Sequence, residues 1–532
     1  MPTAQDLAAD RLAAPADAYD VVVVGAGIGG LVAGALLARR GRRVLVLDRH
    51  TVAGGNATVF RRPGYEFDVG LHYVGGCHPD GVIPRILRAA GVDDVTFEEM
   101  DPDGYDVLAL PGLRLRVPKG IERFRERLLE HFPGERRGID RYASLLRQLQ
   151  RCLRVWPRTV PTLAAALRSP GILRWGRRPF ADVLAHCTSD PTLRTVLAAQ
   201  HPGYALPPSR ASALVGLGIS LHYLEGAYYP RGGGQVISDR LASAIEARGG
   251  DVRLRTRALR IVVEGGRATG VEVETARDGR RLVRADAVIS NADLKHTLGA
   301  LLGDSAPDNR LARRAAGFEM APAMGVVYLG LSTDLRAAGH PAANVWIHPE
   351  LDAERQYAEA ARGKLPDKPS VFVTIGSVKD RGHPGLAPPG HTNVQAMCVA
   401  PSSPAAWGVT DKDNGYRRSP AYREAKQCFA DTLLDVLEPV FPGVRDQVDL
   451  LEVSTPLTQT RYTGSTDGSA YGIAATPAQF GPKRPGPETG VSGLYLCGAS
   501  CRAGHGIHGA ARSGLDAAAR LLPRGLLREV LG

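Results

Sequence analysis

A glycine-rich turn near the start of the chain constrains the fold more than any other feature. Four valines, Val21–Val24, run into a G-x-G-x-x-G turn made by Gly25, Gly27 and Gly30. In a strand–turn–helix unit the first glycine allows a tight turn, the second lets a pyrophosphate approach the backbone, and the third lets the helix pack on the strand. The helix N-terminus then presents free N–H groups and a partial positive charge to phosphates. The turn predicts a dinucleotide site in an α/β, Rossmann-like domain.

An acidic residue and a second glycine pair follow the turn at the spacing of a dinucleotide site. The strand pattern Arg43–Leu47 ends at Asp48, where a carboxylate can accept hydrogen bonds from both ribose hydroxyls. Gly54 and Gly55 follow a few residues later and offer contacts to a ligand longer than adenosine. The uncharged stretch Val21–Ala38 is long enough for a membrane span, but its glycines and its block of valines favour a strand, a turn and a helix.

The composition is that of a globular protein. The chain has 532 residues, of which 44% are hydrophobic and 23% charged, enough for about two to four domains. Seven scattered cysteines, an odd number, favour a reducing, cytoplasmic compartment over a disulfide framework. Residues 1–18 lack a basic start and an apolar core, so we expect a leader and not a signal peptide. Cys497 and Cys501, the one close pair, have neither zinc nor redox spacing, and no metal site is predicted.

A basic stretch, 141–180, contains nine arginines and no acidic residue, together with Trp156 and Trp175. Arginine and tryptophan among apolar residues are typical of a peripheral contact with a membrane surface. A solvated basic face over a substrate lobe explains the stretch almost as well. Nucleic acid is a third reading, but no nucleic-acid motif accompanies the charge, and no such partner is expected. Prolines break the stretch into short helices, so it could lie on a bilayer but not cross it.

Glycine-marked blocks recur far apart in the chain, which suggests one cofactor domain assembled from separate segments. The stretch after the first block has mainly helical patterns, and a later one mixes strand patterns with one amphipathic helix, 422–437. A late glycine loop, 503–510, precedes a helix predicted from Ser513. The predicted division is a leader, 1–18; a discontinuous cofactor domain, 19–75, 226–300 and 481–532; a helical lobe facing substrate or membrane, 76–225; and an α+β substrate domain, 301–480.

Taken together, these blocks resemble the phytoene desaturase-like flavoprotein family, which includes carotenoid desaturases, carotenoid isomerases and retinol saturases. The resemblance covers nearly the whole chain and implies FAD as the cofactor and not a freely exchanging NAD. It implies a Rossmann-like FAD-binding domain beside an α+β substrate domain. The motifs that carry it are the Gly25–Gly30 turn with Asp48 and Gly54-Gly55, Phe67-Asp68-Val69-Gly70, Tyr229-Pro230-Arg231-Gly232-Gly233, Tyr462-Thr463-Gly464, Tyr471-Gly472 and Leu494-Tyr495-Leu496-Cys497-Gly498.

The resemblance also implies which residues contact FAD. These lie in the first turn, at the ribose, along the pyrophosphate and ribityl chain, at the adenine and against the isoalloxazine ring. They are Gly25, Ala26, Gly27, Ile28, Gly29, Gly30, Asp48, Arg49, Gly54, Gly55, Asn56, Leu71, Ala258, Gly498, Ala499 and Ile507. Asn56 departs from the family, in which many members have arginine or serine after the second glycine pair.

Flavin chemistry on a C=C bond needs a group that gives or takes a proton beside the ring. The predicted candidates are His72, Tyr73, His508 and His505, in that order. The alternative for each is a loop residue that hydrogen-bonds the cofactor without moving a proton. Where His505 and His508 stand, desaturases often have small residues or proline, whereas Gly70-Leu71-His72-Tyr73 is most similar to a Gly-Ile-His-Tyr stretch of the saturases. His201, His222 and His296 are expected to be ordinary core or surface histidines.

The function expected from the resemblance is saturation or desaturation of C=C bonds in a long apolar polyene of carotenoid or retinoid type. Redox-neutral cis/trans isomerisation and chemistry on a polyene polyketide stay open as alternatives. A carrier without flavin is a fourth reading, against which the intact glycine turn and Asp48 argue. Asp48 would serve FAD and so carries no information on NAD(P)H as a transient electron donor. The oligomeric state is not predicted.

Overall fold

The computed structural model describes residues 18–155, 169–305, 309–380, 382–410 and 415–532. Its strands, in chain order, are β1 Ala18–Val24, β2 Val44–Leu47, β3 Val59–Arg62, β4 Tyr65–Asp68, β5 Val74–Gly75, β6 Phe97–Glu99, β7 Asp106–Leu110, β8 Leu113–Val117, β9 Ala227–Pro230, β10 Asp251–Arg253, β11 Thr256–Glu264, β12 Arg267–Thr275, β13 Gly279–Ser290, β14 Ala323–Leu331, β15 Asn344–Ile347, β16 Val371–Thr374, β17 Thr392–Ala400, β18 Val448–Ser454 and β19 Leu494–Leu496.

The α-helices are α1 Ile28–Ala38, α2 Val82–Ala90, α3 Ile121–His131, α4 Arg136–Val155, α5 Pro170–Trp175, α6 Phe180–Cys187, α7 Pro191–Ala198, α8 Ala213–Leu224, α9 Gln235–Glu246, α10 Leu294–His296, α11 Arg310–Ala316, α12 Ala353–Ala361, α13 Gly376–Lys379, α14 Pro420–Leu437, α15 Pro456–Thr463, α16 Gly506–Ala518 and α17 Leu526–Leu531. Short 3-10 and π turns connect several of them.

The first sheet has the order β10-β2-β1-β13-β12-β11, with β19 on the far end of β13. Strands β10, β2, β1, β13 and β19 run parallel, whereas β11, β12 and β13 form antiparallel hairpins. Its four innermost valines, Val21–Val24, are at most 4% exposed because helices and loops cover both faces. Strands from three separate stretches of the chain therefore build one dinucleotide-type sheet.

Helix α1 is buried along its whole length and packs between β2, α9 and α16. The uncharged stretch after Asp20 is thus a strand, a turn and a helix, as its glycines predicted. Among the described residues no helix combines the length and the apolar character that crossing a bilayer requires.

The second sheet has the order β18-β14-β17-β16-β15-β7-β8 and is antiparallel except for the β15–β7 pair. Helices α3 to α8 pack against it around one apolar core. Strands β7 and β8 lie inside the stretch 76–225, for which mainly helical structure was predicted. Their sequence, 106–117, is an apolar run interrupted by polar residues. It forms a hairpin because the edge of the second sheet offers it backbone partners.

Candidate active site

The first glycine turn leaves the start of α1 without a side-chain cap. Gly25 has a φ of +101°, which disfavours any side chain, and a Cβ at Gly30 would overlap the Gly25 carbonyl oxygen. The N-cap of α1 is Gly27, which offers no side-chain oxygen, and Ile28, Gly29 and the residues after them are buried. A buried helix N-terminus without a capping group is a site for an anion.

Asp48, which follows β2, stabilises this turn through hydrogen bonds. One carboxylate oxygen accepts a hydrogen bond from the Ala26 N–H at 2.8 Å, and the other accepts one from the His50 N–H at 2.8 Å. The Asp48 carbonyl accepts from the N–H of Thr256, which places the start of β11, and with it Ala258, beside the ribose end of the site. The carboxylate keeps lone pairs for further donors, as ribose recognition requires.

The second glycine pair lies directly against the first turn. Gly54 and Gly55 have φ of +127° and +61°, and the Gly54 N–H donates to the Ala26 carbonyl at 2.7 Å. A Cβ at Gly55 would come within 3.2 Å of the Gly27 Cα. A side chain at Gly55 would therefore keep the second glycine pair from approaching the backbone of the first turn.

Arg49 and Asn56 point toward α15. Arg49 donates to the carbonyls of Thr460 and Arg461 at 3.0 and 2.7 Å, and the Asn56 Oδ1 accepts from the Gln459 Nε2 at 2.8 Å. Their role in cofactor binding stays a prediction. In this structure they attach the ribose side of the site to the second half of the chain.

Asn291, which sequence reasoning did not single out, joins the first turn to the late glycine loop. It follows β13, and its Nδ2 donates to the Gly25 carbonyl at 3.3 Å. Its Oδ1 accepts from the Cys497 thiol at 3.4 Å and would lie 2.9 Å from a Cβ at Gly498. The available signal was its position, since a polar residue that ends a buried strand beside the first turn lies at the binding edge of such a sheet.

The residues present fit FAD. The late loop resembles the first turn, because α16 begins at Gly506 with no capping side chain on its N-cap, His505. A Cβ at Gly504 or at Gly506 would have no atom of the structurally described part of the chain within 4 Å. Two uncapped helix starts, a ribose carboxylate and paired glycines suit a long dinucleotide with an anionic middle and a polar ring edge.

A short segment, 70–76, connects the two ends of this site. A Cβ at Gly70 would lie 3.0 Å from the Asn56 carbonyl oxygen, and one at Gly76 would lie 3.7 Å from the His508 ring. The segment therefore runs from the second glycine pair to the ring-side loop. His72 and Tyr73 lie between these two contacts, and Leu71 is buried beside them.

Tyr73 belongs to a buried polar cluster with Asp106 and Gln200. Its hydroxyl donates to the Asp106 carboxylate at 3.3 Å, and the Gln200 Nε2 donates to both, at 2.9 Å to the carboxylate and 3.4 Å to the hydroxyl. Burial raises the pKa of Asp106 to about 6 and raises the pKa of Tyr73 well above its ordinary value. A cavity of about 20 Å³, room for about one water, adjoins Asp106 and Gln200.

Lys379 joins this cluster to the segment 70–76. Its ammonium donates to the His72 carbonyl, to the Thr374 hydroxyl and to the Asn344 Oδ1, the last at 3.3 Å. Asn344 in turn donates to Asp106 at 3.4 Å. Burial lowers the pKa of Lys379, and the charges of Asp68 and Asp106 oppose that shift. The lysine therefore binds the second sheet to the backbone beside the candidate proton donors.

Asp68 and Tyr229 complete this network at the end of β4. The Tyr229 hydroxyl donates to the Asp68 carboxylate at 2.5 Å, and the Gly234 N–H donates to its other oxygen at 2.9 Å. Lys379 lies 4.7 Å above the Tyr229 ring. Burial raises the pKa of Asp68, while Tyr229 and Lys379 oppose the rise.

The candidate histidines are neutral at pH 7. Burial lowers the pKa of His72 and His505 to about 3 and that of His508 to about 4. His222, expected to be an ordinary core histidine, lies 5.5 Å from the His508 ring and accepts from the Gly75 N–H at 2.9 Å. It is therefore a neighbour of the candidate site.

Comparison with known proteins agrees with this geometry. The family described as "Flavin containing amine oxidoreductase" matches residues 28–522. All-trans-retinol 13,14-reductase of Danio rerio is 28% identical over 90% of this chain and 82% of its own length. Prolycopene isomerase 2, chloroplastic, of an Oncidium hybrid cultivar is 28% identical over 95% of this chain and 84% of its own.

Solved structures resemble the chain in fold. Putrescine oxidase bound to putrescine superposes with a TM-score of 0.62 at 16% identity, covering 95% of this chain and 99% of that one. An oxidoreductase from Methanosarcina mazei gives 0.61 at 18% identity, covering 93% and 98%. At these identities the likeness concerns the fold alone.

Proposed function

Because the chain belongs to the flavin-containing amine oxidoreductase family, we propose that it is an FAD-dependent enzyme that adds or removes hydrogen across a C=C bond of a long apolar polyene of carotenoid or retinoid type. The observation that carries the proposal is the segment 70–76. It runs between the two ends of the cofactor site, and it places the Tyr73 hydroxyl within hydrogen-bond distance of the buried Asp106 carboxyl group. The names of the similar reductases and isomerases support the substrate class.

FAD, when bound, supplies hydride exchange with a substrate carbon. The chain's own residues position it. The N–H groups at the start of α1 would hold the pyrophosphate, and Asp48 would hold the ribose. Gly498 and Ala499, with the start of α16, would lie against the isoalloxazine ring. Burial of this site excludes water, which would otherwise compete for the reacting carbon.

Tyr73 is the group best suited to move the proton at the neighbouring carbon. A donor must be protonated at neutral pH, which the raised pKa of Tyr73 ensures and the lowered pKa of His72 does not. Asp106 and Gln200 hold its hydroxyl, and the Asp106 pKa of about 6 lets that carboxyl group exchange protons near neutral pH. In saturation Tyr73 would donate its proton to the substrate and regain one through Asp106. In desaturation it would pass its own proton to the Asp106 carboxylate as it takes the proton from the substrate carbon.

The side chains around Tyr73 suit a conjugated, uncharged substrate. The Tyr73 ring stacks on that of Tyr223. The centroid of the Phe372 ring lies 5.8 Å from the ring centroids of both His72 and Tyr73, and 4.2 Å from that of Trp346. The Lys379 ammonium is already hydrogen-bonded within the protein. Such an aromatic cluster favours stacking and burial over recognition of a phosphate or carboxylate.

Cis/trans isomerisation is the second candidate function. It is favoured by the 28% identity to a prolycopene isomerase, which covers 95% of this chain. It would use the same residues without net transfer of hydrogen. A polyene polyketide would suit the same aromatic cluster and belongs among the substrates to test.

We propose a membrane surface as the source of so apolar a substrate. Leu153 on α4 and Leu173 on α5 are 48% and 54% exposed and belong to the basic stretch 141–180. Trp175 is 6% exposed, with the Arg174 guanidinium 5.0 Å from its ring, so its indole lies in the core. Trp156 lies outside the described residues. Sedimentation with anionic and neutral vesicles tests this; failure to bind anionic vesicles contradicts it.

An anaerobic mixing experiment tests the reaction. Protein reduced in its flavin is mixed with polyenes of carotenoid, retinoid and polyketide type on liposomes, and both chromophores are followed. Saturation predicts that the flavin reoxidises while the polyene band moves to shorter wavelength, and NADPH then becomes the donor to test. A flavin that stays reduced while the polyene isomerises supports the second candidate. A purified protein that stays colourless with added FAD contradicts both.

A further inference from the structure

Arg484 is a buried guanidinium whose hydrogen bonds are incomplete. The residue is 1% exposed, and its Nη2 donates to the carbonyls of Ile473 and Ala499 at 2.9 and 3.0 Å. Its Nε and Nη1 are buried and have no hydrogen-bond partner among the described residues. Backbone carbonyls satisfy part of the donor fork, but they carry no charge that could balance that of the guanidinium.

No carboxylate balances this charge within the described part of the chain. Arg484 forms no ion pair there, and the titratable groups that face it are Cys501 and His505. Burial raises the pKa of the Cys501 thiol to about 12 and lowers that of His505 to about 3, so both are uncharged at pH 7. Burial lowers the pKa of Arg484 to about 10, which leaves it protonated.

An unpaired buried cation destabilises a fold, so its presence calls for an anion supplied from elsewhere. Arg484 lies directly behind the loop 498–508. It bonds the carbonyl of Ala499, the residue expected against the isoalloxazine ring, and it faces His505 at the start of α16. The anion that would arise at this position is the ring itself, because two electrons taken up with a single proton leave it one negative charge.

We propose that Arg484 stabilises the negatively charged, reduced isoalloxazine ring and thereby raises the reduction potential of the bound FAD. The inference rests on the proposed FAD function. Two electrons enter from an external reductant, dithionite in the test and a reduced nicotinamide or a substrate in turnover. One proton enters from water, and the Arg484 charge balances the remaining negative charge. Arg484 acts by positioning charge and takes no proton itself.

The midpoint potential of the bound flavin tests this without any substrate. Arg484→Gln removes the charge but keeps a donor for the two carbonyls, and Arg484→Lys keeps the charge. We expect Arg484→Gln to weaken binding of reduced relative to oxidised FAD at least tenfold, a fall of about 30 mV for two electrons. Arg484→Lys should recover most of that loss. Arg260→Gln, which breaks an exposed pair with Glu272, is the matched control and should leave the potential unchanged.

A potential that is the same in Arg484→Gln and in the wild type overturns the proposal, as does a fall in Arg484→Lys equal to that in Arg484→Gln. If Arg484→Gln fails to fold or to bind flavin, the midpoint potential of the flavin bound to the wild type still tests the proposal. Its bound FAD must be easier to reduce than free FAD, and a potential at or below that of free FAD contradicts the proposal. Each of these results leaves the proposed polyene reaction standing, whereas a wild type without flavin removes both.

Discussion

The ring of Tyr73 lies face to face with that of Tyr223, with 3.8 Å between the ring centroids and 2° between the ring planes. Tyr73 comes from the segment beside the cofactor site and Tyr223 from α8, so the stack links the first part of the chain to the helices on the second sheet. The stack sets the direction of the Tyr73 hydroxyl, which meets Asp106 and Gln200. An aromatic stack is therefore what positions the proposed proton donor.

Tyr73→Phe keeps this stack and removes only the hydroxyl. We expect turnover of a polyene to fall by about 10²-fold or more, which is the usual contribution of a general acid, with flavin content unchanged. The solvent deuterium isotope effect on turnover should change as well, because another group must then supply the proton. Steady-state rates in H₂O and D₂O, with flavin absorbance for normalisation, measure both.

Tyr142→Phe is the control for that variant. It also removes a buried hydroxyl, one that donates to Ser220 at 3.1 Å within the helical core. It should cost about 1 kcal/mol of stability and leave turnover and its isotope effect unchanged. Full activity in Tyr73→Phe would exclude Tyr73 as the donor.

Asp48→Asn tests the ribose site. The substitution keeps the shape but removes the charge and sets an amide against the N–H groups of Ala26 and His50. We expect at least a tenfold weaker affinity for FAD, since charge-assisted hydrogen bonds contribute about 1.5–3 kcal/mol. Reconstitution of apoprotein with FAD, followed by fluorescence, measures it. Asp286→Asn changes an exposed carboxylate of the same sheet and should bind FAD as the wild type does.

Gly30→Ala tests the packing of the first turn. A Cβ there would overlap the Gly25 carbonyl oxygen and lie 3.2 Å from Asn291 and from Val23. We expect a loss of about 1–3 kcal/mol in the free energy of unfolding, the usual effect of overpacking, together with loss of FAD. Gly218→Ala, inside α8 with no atom of a described residue within 4 Å of the new Cβ, should instead raise stability by about 0.5–1 kcal/mol. Denaturant unfolding of both variants checks this; equal effects would contradict it.

Acid should destabilise the folded protein. The folded pKa values of His72, His222, His505 and His508 lie at about 3 to 4, below the unfolded value of 6.5. Between these pKa values the unfolded chain binds more protons than the folded one. Each histidine therefore lowers the free energy of unfolding by up to about 1.4 kcal/mol per pH unit as the pH falls below 6.5. Asp106, with a folded pKa raised to about 6, acts oppositely between pH 6 and 4 and offsets one of them.

His222→Gln isolates one member of this set. The variant should lose less stability than the wild type between pH 6.5 and 4.5, because one group no longer takes up a proton on unfolding. Denaturant midpoints at several pH values in that window measure the difference. Parallel pH profiles for the two proteins would show that His222 titrates normally.

Elements with a strong local pattern were predictable from the sequence. The strand–turn–helix at Val21–Ala38 follows from a block of valines and the glycine turn, and the amphipathic helix predicted at 422–437, which the structure has as Pro420–Leu437, follows from helical periodicity. Helix α16 starts at Gly506, earlier than the predicted Ser513, and its additional N-terminal part packs closely on α1, since a Cβ at Gly29 would lie 3.1 Å from the Ala510 carbonyl oxygen. Local propensity could not show this contact.

The electrostatic centre of the site was not predictable in the same way. Asp106, Lys379 and Asn291 were missed because their partners are far along the chain: Lys379 bonds His72, 307 positions away, and Asn291 bonds Gly25, 266 positions away. Each lies within or just after a buried strand or short helix, where no neighbour in the sequence explains the presence of a polar residue. For Asp106 and Lys379 the available signal was a charged residue inside an apolar run, and for Asn291 it was the position at the end of a buried strand.

The mass of the product tests the account most directly. Flavin-reduced protein is incubated anaerobically in D₂O with the polyene that responds best, and the product is analysed by mass spectrometry. The account predicts a product that has gained two hydrogen atoms, at least one of them deuterium, with the opposite change when oxidised protein meets the saturated compound. A product of unchanged mass and altered retention would contradict hydrogen transfer and establish isomerisation in its place.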